Sequence, residues 1–431
     1  MNGSRDDAER TVIDVLPWRI RGRTLTLEYS GAGRVFREVI TFPDVLPREA
    51  WVDRVCDVVA CVASVSYAKA FAPAVVSARS FALTAAGRAL VESALGEGMA
   101  EFAFQTGIHQ PIAFDSAESS VPAADESGST AVRPLIPLGG GRDSAVVACA
   151  LSEMHPTLMS IGGGRAARDV AAALGREIVV VDREIDPQII ELNAAGSPNG
   201  HIPITAITML VSVVCAAALG CDAVVMANEA SSSAPTRTVD GRAVNHQHSK
   251  SSEFETALHE MLKSIGSPVG CFSVLRDRDD TDISRAFATR CAALHRVIVS
   301  CNRAEVRDGA RRSDRWCGDC AKCRSVFLSL APHMRPGELS AMFGADLLAD
   351  ADQAAGFADL LDDATKPFEC VQTTDEARAA IEALAASKEW SRHVVVVALA
   401  DRGARRTRRT PEGLGAHVTE TVRVAMRDFF S

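Results

Sequence analysis

Short apolar runs, separated by glycine turns and by longer amphipathic stretches, dominate the middle of the chain. Val132–Ile136, Leu158–Ile161, Glu177–Val181, Ala223–Ala227, Cys271–Leu275 and Val297–Ser300 read as strands. Runs this short, bounded by glycine or polar residues, suit a parallel sheet covered on both faces. Ala145–Leu151, Ala166–Leu174 and Ile204–Leu219 read as helices between them. The alternation predicts an α/β domain over 132–330, a doubly wound parallel sheet with its ligand at the carboxyl ends of the strands. Two glycine turns, Gly139-Gly140-Gly141 and Gly162-Gly163-Gly164, fall on that edge. Before it, Arg23–Tyr29 alternates, and Val35–Phe42 follows after Gly31 and Gly33, a hairpin pattern. Trp51–Ala72 and Ser77–Gln105 read as helices, so residues 1–114 form an N-terminal α+β region. Residues 115–131, rich in Ser, Ala, Asp and Glu, read as a mobile linker. Residues 331–431 form a C-terminal α/β extension, with a helix at Asp375–Ser387 and a late strand at His393–Leu399.

With 431 residues and 47% hydrophobic content, the chain can build two or three domains with sizeable cores. Its formal net charge of −9 argues against nucleic acid as a partner. The basic run Arg402, Arg405, Arg406, Arg408, Arg409 reads as a solvated loop. Ile204–Leu219 is apolar, but it is short, carries Thr205, Thr208 and Ser212, and leads into a strand. It therefore reads as a buried helix and not as a membrane span. Met1–Arg10 is polar and acidic, without a leader pattern. Twelve cysteines in such a chain suggest a reducing, cytoplasmic setting.

The chemistry concentrates first at Gly139-Gly140-Gly141-Arg142-Asp143-Ser144. The glycines clear side chains where backbone N–H groups close on an anion, and a helix starting near Asp143 points its positive end at the same spot. Ser144 can donate a hydroxyl to phosphate, and Asp143 can hold the Mg²⁺ that accompanies it. The dinucleotide spacing G-x-G-x-x-G is absent, and no Gly-Lys-Ser/Thr closes the loop. The loop resembles that of the ATP pyrophosphatases, Ser-Gly-Gly-x-Asp-Ser, with Gly139 at the first serine. Those enzymes cleave ATP between the α- and β-phosphates to activate a carboxylate or carbonyl as an adenylate.

Further on, Asn228 and Glu229 stand at the carboxyl end of a strand, as contacts for a substrate or metal or simply as the start of a polar loop. Asn245–Glu255 holds His246, His248, Lys250, Glu253 and Glu255, with Ser251 or Ser252 placed to cap a helix starting at Glu253. These groups offer proton carriers and anion contacts; a solvated loop is the alternative. Cys317, Cys320 and Cys323 follow the spacing C-x-x-C-x-x-C, and Cys301, sixteen residues earlier, completes the residue set for tetrahedral zinc. A redox pair, free thiols and an iron–sulfur cluster use the same residues. The arrangement is similar to the zinc site of the cyano-deazaguanine synthases. In Lys366–Val371, Pro367 enforces an extended entry that presents Glu369 and Cys370.

Taken in order, Leu138–Ser144, Asn245–Lys250 with Glu253, Trp316–Cys323 and Lys366–Cys370 resemble one family, the UDP-N-acetyl-α-D-muramoyl-L-alanyl-L-glutamate epimerases of the MurL type. The chain departs from the family pattern at Arg142, where lysine is usual, and at His248, where an aromatic is usual. The resemblance implies a cytoplasmic isomerase that uses ATP and Mg²⁺ and makes D-glutamate within a nucleotide-linked peptidoglycan precursor, UDP-MurNAc-L-Ala-L-Glu. Gly139, Gly140, Gly141, Arg142, Asp143 and Ser144 would hold ATP, and Asp143 the Mg²⁺. Asn228, Glu229, Asn245 and Glu369 would meet substrate. His246, Lys250, Glu253 and Cys370 would carry protons. Two other readings use the same motifs: an ATP-dependent tRNA- or nucleobase-modifying enzyme of the cyano-deazaguanine synthase kind, and a non-catalytic nucleotide-binding regulator. The acidic balance argues against the first, and the presence of Asp143 and Ser144 against the second.

Overall fold

The computed structural model describes residues 11–108, 111–119, 132–239, 241–304, 313–402, 412–415 and 417–431. The chain forms two compact units, one from Met1–Gly128, Val181–Gly220 and Glu253–Gly270, the other from Ser129–Val180, Cys221–Ser252 and Cys271–Ser431.

In the first unit the expected hairpin is β2 (Thr24–Gly31) and β3 (Arg34–Thr41), in register from Thr24 opposite Thr41 to Gly31 opposite Arg34. A strand that the sequence reading missed, β1 (Val12–Arg21), runs antiparallel to β2. Two more, β4 (Val75–Leu83) and β5 (Ala113–Glu118), extend the sheet in parallel, giving the order β3-β2-β1-β4-β5. Leu25, Leu27 and Tyr29 alternate inward with no exposed surface, the period expected of a half-covered sheet. Helices Ala50–Ala63 and Ile204–Leu219 pack together on this unit. Glu38, fully buried, pairs with Arg183, which keeps a small exposed part, Nε to Oε1 2.7 Å.

The helix expected over Ser77–Gln105 begins only at Ala85. Residues 77–83 belong to β4, and Thr84 caps the next helix by accepting the Gly87 N–H at 3.1 Å. Two open ladders, to β1 and to β5, outweigh the local helical pattern of this stretch. Of the expected linker, 115–118 are strand β5 and 120–131 lie outside the described residues.

The second unit holds β6 (Pro134–Pro137), β7 (Thr157–Ile161), β9 (Ala223–Glu229), the short hairpin β10 (Arg237–Val239) and β11 (Arg242–Val244), and β12 (Gly270–Leu275). Strand β8 (Ile178–Glu184) straddles the boundary of the two units. β6 pairs in parallel with β7 on one side and β9 on the other, in the order β12-β9-β6-β7. The strand order therefore reverses at β6, and a crevice opens beyond the carboxyl ends of β6 and β9. This is the parallel α/β sheet that the alternation predicts.

Two expected strands are not strands. Val297–Ser300 leaves a turn, with the Val297 and Ile298 N–H groups on the Leu294 carbonyl, and joins no ladder; its Val299 N–H bonds the Gly140 carbonyl at 2.9 Å. Val394–Leu399 is a helix. Val395, Val396 and Leu399 are buried while Val394 and Val397 are exposed, a helical face that packing imposes on a β-branched run. The C-terminal region after Leu330 shows only helices among its described residues, so the expected α/β extension is all-helical there. It packs through a chain of rings, Trp316, Phe343, Phe327 and Trp390, with successive ring centroids 4.1 to 6.2 Å apart. Of the basic run, Arg405, Arg406, Arg408 and Arg409 lie outside the described residues.

Candidate active site

The glycine loop leaves β6 and turns into helix Arg142–Ala150. Gly140 has φ +82°, and a Cβ there would lie 2.5 Å from the Ala166 carbonyl carbon, so only glycine fits. At Gly141 a Cβ would meet Ser300 Oγ at 2.7 Å. Ser300 Oγ also accepts the Arg142 N–H at 3.2 Å, so the segment that failed to become a strand clamps the loop instead. Gly139 has open space, which leaves the approach to the loop clear.

Arg142 turns inward. Its guanidinium is 4% exposed and donates to Asp280 (2.5 and 3.1 Å), Ser284 (2.6 Å), Ser329 (2.8 Å) and Asp143 (2.8 Å). All its donors are thus committed within the protein, and it fixes Asp143 at the start of the helix. Burial opposes charge on Asp143, but Arg142, Lys322 and Lys250 together hold its carboxyl below the usual range.

Asp143, Asn228, Glu229 and Asp280 line one side of the crevice, with Gln247, Lys250, Lys322, Cys370 and Gln372 around the rest. The Lys250 ammonium donates to Cys370 Sγ at 3.1 Å and reaches Gln247 Oε1 at 3.4 Å. Burial disfavours a Cys370 thiolate, but Lys250, a hydrogen bond from His246 and the charge of Lys322 draw the thiol down to about 5. In return Lys250, despite its burial, is held above the usual lysine value by Cys370, Asp143 and Glu229. Burial pushes Glu229 up, with Asp143 and Asp280 adding to the effect against the Ser231 hydroxyl that it accepts at 2.6 Å.

The segment carrying Cys370 is bolted to the start of helix Ala321–Leu330. The Lys322 N–H donates to the Glu369 carboxylate at 3.0 Å, and its ammonium to the Cys370 carbonyl. Gln372 bonds Ser325, its N–H reaching Ser325 Oγ at 3.3 Å. Arg237 holds the Lys366 carbonyl at 2.8 Å and lies over the Phe368 ring at 4.8 Å. Glu369 therefore serves the helix terminus. Asn245 likewise bridges the Ser232 carbonyl (2.9 Å) and the Gln247 N–H (2.8 Å), and Asn228 donates to Ser273 Oγ at 3.0 Å. Glu253 sits at the start of helix Ser252–Ser264, in the first unit, and does not line the crevice. His248 is buried at 5% exposure. Ser144 bonds back to the Gly141 carbonyl at 3.3 Å. Asp280 and Gln372 carry no local signal in the sequence; long-range packing alone brings them here. Lys322 lies inside the cysteine run, where the thiols draw the attention.

The four cysteines of the knuckle converge: all sulfurs of Cys301, Cys317, Cys320 and Cys323 lie within 4.8 Å of one another, and those of Cys317 and Cys323 are 3.8 Å apart. A tetrahedral ion bound at roughly 2.3 Å sets its sulfurs about 3.8 Å apart. Backbone N–H groups of Arg303, Cys317, Asp319 and Cys323 point at the sulfurs from 3.3 to 3.4 Å, as they do where thiolates need charge support. The set suits a thiophilic tetrahedral ion.

Asp143, next to the glycine loop at a sheet switch point, and a lysine–cysteine pair thus share one crevice of an α/β chain. Comparison with known proteins gives the family. Residues 14–274 match the MurL N-terminal domain and residues 297–412 the MurL C-terminal domain. The chain belongs to the MurL family of epimerases, which are isomerases. It is similar to the UDP-N-acetyl-alpha-D-muramoyl-L-alanyl-L-glutamate epimerase of a Micromonospora species, 39% identical over 384 residues, covering 85% of this chain and 83% of that protein. The same-named protein of Salinispora tropica is 39% identical over 383 residues, 85% of this chain and 82% of its own length. That of Xanthomonas oryzae pv. oryzae is 37% identical over 341 residues, 78% and 75%. No solved structure matches the chain. Among the described residues no helix is long and apolar enough to cross a membrane.

Proposed function

We propose that this chain is an ATP-dependent epimerase. It inverts the terminal L-glutamate of UDP-MurNAc-L-Ala-L-Glu through a carboxyl adenylate, releasing AMP and pyrophosphate, in cytoplasmic synthesis of a peptidoglycan precursor. The observation that carries the reading is one crevice holding both Asp143, which directly follows the glycine turn and Arg142, and the Lys250–Cys370 pair.

The chemistry calls for both parts. The glutamate nitrogen is already acylated, so no Schiff base can form on it, and its α-carboxylate resists a second negative charge at Cα. ATP supplies an adenylate leaving group, which removes that charge and turns the carbonyl into an electron sink. We assign the loop to the ATP-pyrophosphatase type, with Gly139, Gly140, Gly141 and Ser144 around phosphate oxygens. A Mg²⁺ ion on Asp143 would neutralise phosphate charge. Arg142 acts through Asp143 and Asp280 and does not itself hold phosphate. His246, Lys250 and Cys370 form the proton-handling cluster, because they meet around one sulfur. Glu253 has no part in this cluster. Zinc in the knuckle would be structural: it would fix the start of helix Ala321–Leu330, and through Lys322 the position of Cys370.

The nucleotide products test the reading. Incubation with UDP-MurNAc-L-Ala-L-Glu, ATP and Mg²⁺ should give AMP and pyrophosphate only when the dipeptidyl nucleotide is present. Asp143→Asn should stop it. ADP and phosphate in their place would show that the loop has another role.

A further inference from the structure

Of the three groups that meet at Cys370 Sγ, the sulfur is the least suited to pulling a proton from carbon. An ammonium donates to it at 3.1 Å, an imidazole donates beside it, and a second lysine pins its carbonyl. Such a surrounding favours a thiolate at neutral pH and takes away its basicity. Nucleophilicity falls far less than basicity, with a slope of roughly 0.4–0.5 per pKa unit. A cysteine activated by a neighbouring cation, with that cation oriented by a third group, is an arrangement of covalent catalysis. Here Gln247 steadies Lys250 at 3.4 Å. Cys370 also opens on the same crevice as Asp143 of the loop, so its sulfur and an activated carboxyl meet in one space.

Resting on the function proposed above, we infer that Cys370 takes the glutamyl group from the adenylate as a thioester, leaving the proton at Cα to Lys250 and His246. The Cys370 thiolate attacks the acyl carbon, the new C–S bond forms, and the bond to the AMP oxygen breaks with its electron pair on AMP. The thioester carbonyl keeps the α-proton acidic, because sulfur donates little into it. Once AMP has left, the base and acid can work at Cα without the phosphate charge beside them. Water then attacks the thioester, the C–S bond breaks, and the Cys370 thiolate returns beside Lys250. The atoms balance as one ATP and one water in, AMP and pyrophosphate out.

The test is a single-turnover acid quench of the full-length enzyme with radiolabelled UDP-MurNAc-L-Ala-L-Glu, ATP and Mg²⁺ in D₂O. Quenches would span one turnover. The inference predicts a protein adduct equal to the substrate less one water, mapped to the Cys370 peptide and released by neutral hydroxylamine. AMP should appear no later than deuterium at Cα. Cys370→Ala should still release pyrophosphate, which also shows that it is folded, but should form no adduct and admit no deuterium. Cys370→Ser should slow AMP release in the same way. If deuterium enters Cα with no adduct on the Cys370 peptide at any quench time, the inference is overturned and the epimerase reading stands. If Cys370→Ala still exchanges deuterium, Cys370 has neither role. If the wild-type enzyme forms no pyrophosphate, the proposed function itself falls, and the thioester with it.

Discussion

Lys250→Gln removes the cation nearest the Cys370 sulfur and nearly preserves the shape of the side chain. At 3.1 Å and an effective dielectric of about 20, the attraction is about 5 kcal/mol, or roughly four pKa units. That is close to the depression of the thiol from its ordinary 9.0 to about 5. His246 and Lys322 remain in the variant, while burial pushes the other way, so its thiol should titrate at about 8 or above. The readout is the pH dependence of iodoacetamide alkylation, with Cys370→Ala subtracted to remove the other cysteines. The midpoint is the quantity to compare. The rate at one pH says little, because the rarer thiolate of a weaker acid is also more reactive and the two effects offset. Wild-type enzyme should show a midpoint near 5. The thiol is depressed on folding, so its contribution to stability is full above pH 9 and is lost as pH falls through about 5. The variant should lose that slope in denaturant titrations between those limits. A wild-type midpoint near 9, or one that Lys250→Gln leaves in place, would refute the pairing.

Cys317→Ser should lower bound zinc from about one per chain and shift the Cys370 alkylation midpoint upward, since the knuckle leads into the helix that carries Lys322; elemental analysis and the same titration check both. Arg142→Ala leaves Asp280 and Asp143 without their buried counter-charge and should cost roughly 3–5 kcal/mol in urea unfolding. Gly140→Ala should cost roughly 1–2 kcal/mol from its backbone angle alone, with more from the clash against Ala166, and should abolish ATP-dependent pyrophosphate release.

What could be read in the sequence was what lies close together along the chain. The glycine loop and its helix depend on a few consecutive residues, and the triplet Cys317, Cys320, Cys323 closes within one turn, so both were legible. Asn245 and Glu369 were expected to meet substrate. Their polar atoms, however, are spent on a backbone carbonyl and on backbone N–H groups, a commitment that only tertiary structure decides. Asp280 comes from a distant helix to meet Arg142 and had no local mark. Val394–Leu399 looked like a strand because valine favours strands, yet its buried positions follow a helical face. Val75–Leu83 went the other way, drawn into a ladder on both sides.

Epimerisation at the glutamate Cα, powered by ATP, is the activity to be tested most directly. Chiral analysis and mass spectrometry of the glutamate released from UDP-MurNAc-L-Ala-L-Glu, after incubation with enzyme, ATP and Mg²⁺ in D₂O, address it directly. The expected product is D-glutamate carrying one deuterium at Cα, formed only when ATP is present. L-glutamate recovered unlabelled, or inversion that proceeds equally without ATP, would contradict it.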